Sequence, residues 1–231
     1  MKITSVEVIR LTSGHSPIRG ANWSPTVVRV NTDEGISGIG EIGLAYSSAK
    51  HGAVGICRDF AELIIGMDPM EHEKIWDKLY MGTFWAQGGG GFEFGAMSAI
   101  DIALWDIKGK ALGLPVHILL GGKINPKLRV YASQLQLDWG VECHPLTAPQ
   151  EYAESALRAK EAGYTAVKVN PMMFDRKGGF FSRYTGLLDV DRIKMAVERI
   201  EAMRLAVGDS VDILLELHGN TDIGSAAQIC Q

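Results

Sequence analysis

Apolar and polar positions set three periods along the chain. The first is a strand period. Ile3, Val6, Val8 and Ile9 lie in a β-rich opening run, and Thr26–Val30 (TVVRV) is a second. Asn31–Gly35 (NTDEG) is turn chemistry, short polar residues closed by a glycine. Gly38–Ile42 resumes the run, so an antiparallel meander is expected. The second period is helical. Val54–Ile65 and Met70–Tyr80 (MEHEKIWDKLY) carry apolar stripes at three- and four-residue spacing. Ala96–Leu112 (AMSAIDIALWDIKGKAL) is the strongest helix, with Ile100, Ala103, Leu104, Ile107 and Ala111 on one face. Gly113 and Pro115 end it. The glycine run Gly88–Gly91 reads as a flexible connection, because Phe92-Glu93 follows it rather than the Gly-Lys-Ser/Thr of a phosphate cradle.

From Lys127 the third period begins, an alternation of short strands and helices. Arg129–Ser133, Ala166–Val169 and Val211–Leu217 read as strands, and Pro149–Ala162 and Val190–Val207 as helices ended by Gly163 and Gly208. A further helix begins near Ser225. Such alternation implies parallel strands with right-handed crossovers. Two domains are therefore expected, 1–126 and 127–231. Two polar, glycine-containing segments are candidate functional loops. Ser13–Ser24 (SGHSPIRGANWS) is a candidate lid, and Asn170–Leu188 follows a strand's C-terminal end, where barrel enzymes place such loops.

Composition narrows the function classes. The 231 residues are 46% hydrophobic and 22% charged, an ordinary globular balance. A net charge of −4 offers no basic excess for phosphates, so nucleic acid is not an expected partner. Cys57, Cys143 and Cys230 form no CxxC pair, so neither a zinc site nor a disulfide framework is indicated, and a reducing compartment fits them. No signal-peptide pattern opens the chain, and no run of roughly 18 apolar residues occurs. The expectation is a cytoplasmic protein without a membrane partner.

Two strand ends carry the candidate chemistry. On Val167-Lys168-Val169-Asn170, Lys168 and Asn170 share a face because side chains alternate along a strand. A lysine facing a barrel interior needs an anion or a carboxylate. On Leu215-Glu216-Leu217-His218, Glu216 and His218 share a face. A strand-end acid suits a hard divalent cation, and a histidine suits proton transfer. Asn22 and Trp23, with His15, sit in the candidate lid and could touch substrate. Asp101 and Asp106 read as structural, Asp106 pairing with Lys110 at i,i+4. His51, His72 and His117 show no metal spacing, and Glu41 is a strand-end carboxylate of open role.

Ala99–Gly122 (AIDIALWDIKGKALGLPVHILLGG) strongly resembles the signature of the mandelate racemase/muconate lactonizing enzyme family of the enolase superfamily. Met1–Gly43, with VRVNTDEGISGIGE, resembles the start of that family's capping domain, and the resemblance extends through Lys168 and Glu216. It implies an α+β capping domain followed by an incomplete (β/α)₈-type (TIM-like) barrel, since such a barrel takes about 250 residues. It also implies removal of the proton α to a carboxylate, with Mg²⁺ stabilising the enediolate. Lys168 matches the first residue of a Lys-x-Lys motif, which contacts the substrate carboxylate. Asn170 stands where racemases and cycloisomerases carry a basic lysine, and an amide cannot take a proton. Glu216 matches the first metal ligand. His218 matches a histidine of galactonate- and gluconate-type dehydratases, where it protonates the departing hydroxyl. Two further acidic ligands and a His-Asp base are expected on later strands. The implied function is Mg²⁺-dependent dehydration of a small-molecule sugar acid to a 2-keto-3-deoxy acid, with a homo-oligomer expected at full length. The alternatives are a racemase or cycloisomerase on the same scaffold, or a catalytically inactive fragment.

Overall fold

The computed structural model describes residues 1–11, 25–43, 50–84, 86–140, 143–181 and 183–231. The chain divides into two compact units, Met1–Pro126 and Lys127–Gln231. The segment read as a lid, Ser13–Ser24 with His15, Asn22 and Trp23, lies outside the described residues.

The first unit opens with strands β1 (Ile3–Arg10), β2 (Thr26–Thr32) and β3 (Ser37–Glu41), paired antiparallel in the order β1-β2-β3. Alternation sets the two faces. Val28 and Val30 are fully buried, while Glu7, directly opposite Arg29, bonds its guanidinium at 2.6 Å on the wetter side. Helices α1 (Lys50–Ile64), α2 (His72–Met81), α3 (Gly91–Leu112) and the short α4 (Val116–Leu119) follow. Ile100, Ala103, Leu104 and Ile107 of α3 are buried against the sheet, but Ala111 is exposed. The core stripe ends one turn earlier than its periodicity predicts, because beyond Ile107 the seam with β3 is made by the polar Lys110 side chain, which donates to Ser37 O at 2.7 Å. The glycine run is not a flexible connection throughout. A 3₁₀ turn takes Ala86–Gly88 and α3 already starts at Gly91.

Gly38 and Gly40 let β3 approach α3 closely. A Cβ on Gly40 would stand 1.9 Å from the Ala99 carbonyl oxygen, and one on Gly38 1.9 Å from that of Ala103. Asp106 and Lys110 extend the same seam. The Asp106 carboxylate accepts from the Ile39 N–H at 2.9 Å and pairs with Lys110 at 2.7 Å. Asp101 faces the buried His72 at 3.8 Å, whose ring meets that of Trp105 at a tilt of 58° with centroids 4.6 Å apart.

The second unit contains α5 (Pro149–Glu161), β4 (Ala166–Val169), α6 (Val190–Val207), β5 (Asp212–Leu215) and α7 (Ile223–Cys230). Strands β4 and β5 pair parallel, and the chain between them returns through α6. Arg129–Ser133 does not form the predicted strand. Only Ala132 joins the sheet, accepting from Lys168 N–H at 2.7 Å and donating to Ala166 O at 3.0 Å. Its neighbours Leu128 and Val130 are 76% and 62% exposed, so no packed face supports a longer ladder. Arg129 instead anchors the segment through Asp212 at 2.6 Å and the Thr165 carbonyl. Strand β5 is also shorter than its apolar run, although Glu216 N–H still bonds Val169 O at 2.9 Å. No helix among the described residues is long and apolar enough to cross a membrane.

Asp222 caps α7. Its carboxylate accepts from Ser225 N–H at 2.8 Å and from Gly186 N–H at 2.6 Å, which pins the loop before α6 to the helix. Those bonds, the Ser225 amide foremost, pull its carboxyl down to about 2. A depressed carboxylate stabilises the fold above its unfolded value of about 3.9 and loses that contribution as pH falls through its folded value. Asp222→Asn therefore melts at lower temperature than wild type at pH 7. The gap narrows as pH falls from 4 towards 2, and thermal unfolding followed by circular dichroism checks it. An unchanged gap across that range would assign the effect to packing instead.

Candidate active site

The strand ends of β4 and β5 bring Lys168, Asn170, Glu216 and His218 together. They line one small recess with Ser133, Gln134 and Gln136, and its free space is about 10 Å³, on the order of one water molecule. The parallel register sets this grouping. Lys168 lies opposite Leu214 and Val169 opposite Leu215, so one more step places Glu216 beside the end of β4.

Lys168 and Glu216 form the centre. Lys168 Nζ stands 2.9 Å from Glu216 Oε2, each side chain 26% exposed. The ammonium also lies over the Tyr131 ring, 5.1 Å from its centroid. The hydrogen bond from Lys168 holds the Glu216 carboxyl below its ordinary range, helped by the His218 backbone N–H. The same carboxylate raises Lys168 above its own. Both groups are therefore ionised across the neutral range, with the pair stabilised against acid on one side and base on the other.

His218 reaches this centre by a different route from strand alternation. Strand β5 ends at Leu215, and His218 adopts the left-handed conformation with φ 55°. Histidine is among the side chains enriched there. The turn folds its N–H back onto Glu216 Oε1 at 2.9 Å and sets its Nδ1 3.5 Å from the same oxygen. At 59% exposure, the imidazole stands at the solvent side of the recess.

Asn170 is 1% exposed. Its backbone N–H donates to Gln136 Oε1 at 3.1 Å, and its Oδ1 accepts from Met172 N–H at 3.1 Å. Its Nδ2 is buried with no hydrogen-bond partner among the described residues. A buried donor without a partner costs free energy, and this one lies on a residue that lines the recess. Gln136, itself buried, donates to Gln134 at 3.0 Å. Sequence reading missed Ser133, Gln134 and Gln136, because the expected strand was taken to end at Ser133 and the left-handed turn at Gln134, φ 64°, leaves no side-chain pattern. The polar pair of glutamines beside a strand-like apolar run was the one available signal.

Glu216 fits one ligand position for a hard cation, being an ionised carboxylate at a strand end. No group of three His, Cys, Asp or Glu side chains gathers to hold a metal among the described residues. These residues do not by themselves make a cation site. A larger cleft of about 270 Å³ opens on the opposite face of β5, between Ile193, Ile200, Ile213, Leu215 and Ile229. Its lining is mostly apolar, with Glu201 and Arg204 as its charged members.

Known proteins resemble this chain over nearly all of its length. The family model for the mandelate racemase/muconate lactonizing enzyme N-terminal domain matches residues 16–121, and the enolase C-terminal domain-like model matches 151–231. D-gluconate dehydratase of Thermoproteus tenax is 34% identical over 230 residues, 99% of this chain and 42% of that protein. D-galactonate dehydratase of Variovorax paradoxus (strain S110) is 34% identical over 221 residues, 95% of this chain and 49% of that protein. The crystal structure of an enolase-superfamily member from Salmonella Typhimurium superposes with a TM-score of 0.91 at 48% identity, covering 99% of this chain and 57% of that one. The chain spans about half the length of the curated relatives it matches.

Proposed function

The chain belongs to the mandelate racemase/muconate lactonizing enzyme family, with the enolase superfamily's capping domain and part of its barrel, and on that premise we propose that the intact protein dehydrates a sugar acid. The observation that carries this reading is the cluster at two adjacent strand ends. A fixed ammonium, an ionised carboxylate, a histidine and an unpartnered amide donor line one recess. The relatives named as D-gluconate and D-galactonate dehydratases support the substrate class, a polyhydroxy monocarboxylate.

Each residue has a role that its chemistry allows. Lys168 binds the substrate carboxylate and stabilises the negative charge that grows on it as the α-proton leaves. Asn170 Nδ2 donates to a substrate oxygen. His218, exposed at the mouth, protonates the departing hydroxyl at the β-carbon. Glu216 keeps Lys168 oriented, and is proposed as one ligand of a Mg²⁺ ion whose further acidic ligands the family resemblance assigns to later strands. Asn22 and Trp23 are proposed to contact the sugar hydroxyls from the lid segment. Asn170 cannot serve as a base, which argues against a two-base racemase and a lysine-based cycloisomerase.

Product analysis tests the reading. The intact protein, incubated with Mg²⁺ and D-gluconate or D-galactonate in deuterated water, is expected to yield the 2-keto-3-deoxy acid. Recovered substrate carrying deuterium at the α-carbon, with no keto acid formed, would replace dehydration by racemisation. No turnover of any sugar acid would leave the inactive-fragment alternative standing.

A further inference from the structure

We infer that Arg199 of α6 is a positioning residue for the substrate side of β4, holding the turn Asn170–Asp175 in the shape that leaves the Asn170 Nδ2 donor free. Arg199 is the largest fully buried side chain of the described residues, yet it has no carboxylate partner there. Both of its Nη groups are spent on backbone carbonyls, while Nε is buried without a hydrogen-bond partner among the described residues. Nη1 donates to Pro171 O at 2.7 Å and Phe174 O at 2.7 Å, and Nη2 to Thr147 O at 2.8 Å and Asp175 O at 3.4 Å. The planar group lies over Tyr152, 4.8 Å from the ring centroid.

A buried cation is costly unless hydrogen bonds replace its water. Three of those acceptors, Pro171 O, Phe174 O and Asp175 O, lie in the loop that turns straight after Asn170. The Pro171 carbonyl shares one planar peptide unit with the Met172 N–H, so a shift of that carbonyl would move the donor that holds Asn170 Oδ1. Within that turn Asn170 Oδ1 is committed to Met172 N–H, which orients Nδ2 the other way. Thr147 belongs to the segment leading into α5, whose first turn is closed by Glu151 Oε2 accepting from Thr147 N–H and Ala148 N–H at 2.8 Å each. One guanidinium thus ties two loops beside the recess. Lysine could not do this, because a single ammonium cannot fork to carbonyls on two segments with the same geometry. That Asn170 meets substrate rests on the proposed function; that Arg199 sets the turn does not.

Hydrogen exchange resolved by residue tests the inference without any assay of catalysis. Arg199→Lys is compared with Met203→Ala, a cavity variant of a fully buried residue on the same helix. In Arg199→Lys, exchange at Met172 N–H is expected to rise at least about tenfold more than at Lys168 N–H, which bonds Ala132 within the sheet. In Met203→Ala the two are expected to rise together. Equal loss at both amides in Arg199→Lys would overturn the inference and leave Arg199 a core residue only. If Arg199→Lys fails to fold, the wild-type protein decides. Separate, slowly exchanging Arg199 Nη proton resonances are expected, and averaged, rapidly exchanging ones would reject the inference.

Discussion

Lys168→Met in the intact protein is expected to lower kcat for sugar-acid dehydration by about a hundredfold to a thousandfold, the range found when one electrostatic stabiliser of a developing oxyanion is removed. Methionine keeps an unbranched, uncharged stem at this position, so β4 and its pairing with β5 should survive. The charge is what disappears. Its loss also releases Glu216, whose carboxyl is held down chiefly by the Lys168 hydrogen bond. In the variant that carboxyl protonates at higher pH than in wild type. In the metal-free protein, a pH titration of the Glu216 carboxyl followed by NMR reads that shift. Steady-state kinetics at neutral pH, with circular dichroism to verify folding, reads the fall in kcat. Activity within a factor of about three of wild type, less than about 1 kcal/mol of barrier, would remove Lys168 from the chemistry. Lys168→Arg would be no control for charge alone, because the bulkier fork must displace either Tyr131 or Glu216. The more informative companion is the Lys168→Met/Glu216→Gln double variant. If the two residues act as one unit, its loss matches that of the worse single variant rather than the product of both.

Gly40→Val is expected to unfold the first unit or to cost it about 3 kcal/mol or more, beyond the usual penalty for overpacking a core. The reason is backbone against backbone. The missing Cβ would stand 1.9 Å from Ala99 O, a position no rotamer change relieves. Gly38 makes the same approach to Ala103 O one helical turn along. Two strand residues advance about 6.7 Å and four helical residues about 6 Å, so the glycine pair and the alanine pair stay nearly in step. The α3 helix must either lift away or the strand must leave the sheet, and either exposes Val28, Val30, Ile100 and Leu104. Urea unfolding monitored by circular dichroism measures the loss. A midpoint unchanged from wild type would mean that β3 does not pack on α3 as described.

Much of this architecture is legible in the chain itself. The alternation of Ile3–Ile9, TVVRV and the NTDEG turn predicts the three-stranded meander, because one buried face imposes a period of two. Ile100, Leu104 and Ile107 predict the buried face of α3 for the same reason at a period of 3.6. The Ala166–Val169 strand also places Lys168 beside Asn170 on one face, since alternation alone decides that.

Where periodicity lapses, sequence reading lapses with it. Arg129–Ser133 has strand-like composition yet forms a single bridge, because a strand exists only as far as its neighbours pair and cover it. Arg199 reads as an ordinary helix residue, and its carbonyl partners lie 24 to 52 positions away. His218 belongs to the site through a left-handed turn, which no side-chain pattern encodes. The local sequence determined the elements and the faces they bury, because those follow from near-neighbour sterics and the removal of apolar surface from water. Only the tertiary structure decided that Lys168 meets Glu216, that Asn170 Nδ2 has no partner among the described residues and that Gly40 touches Ala99, because each depends on groups brought together by the packing of separate elements.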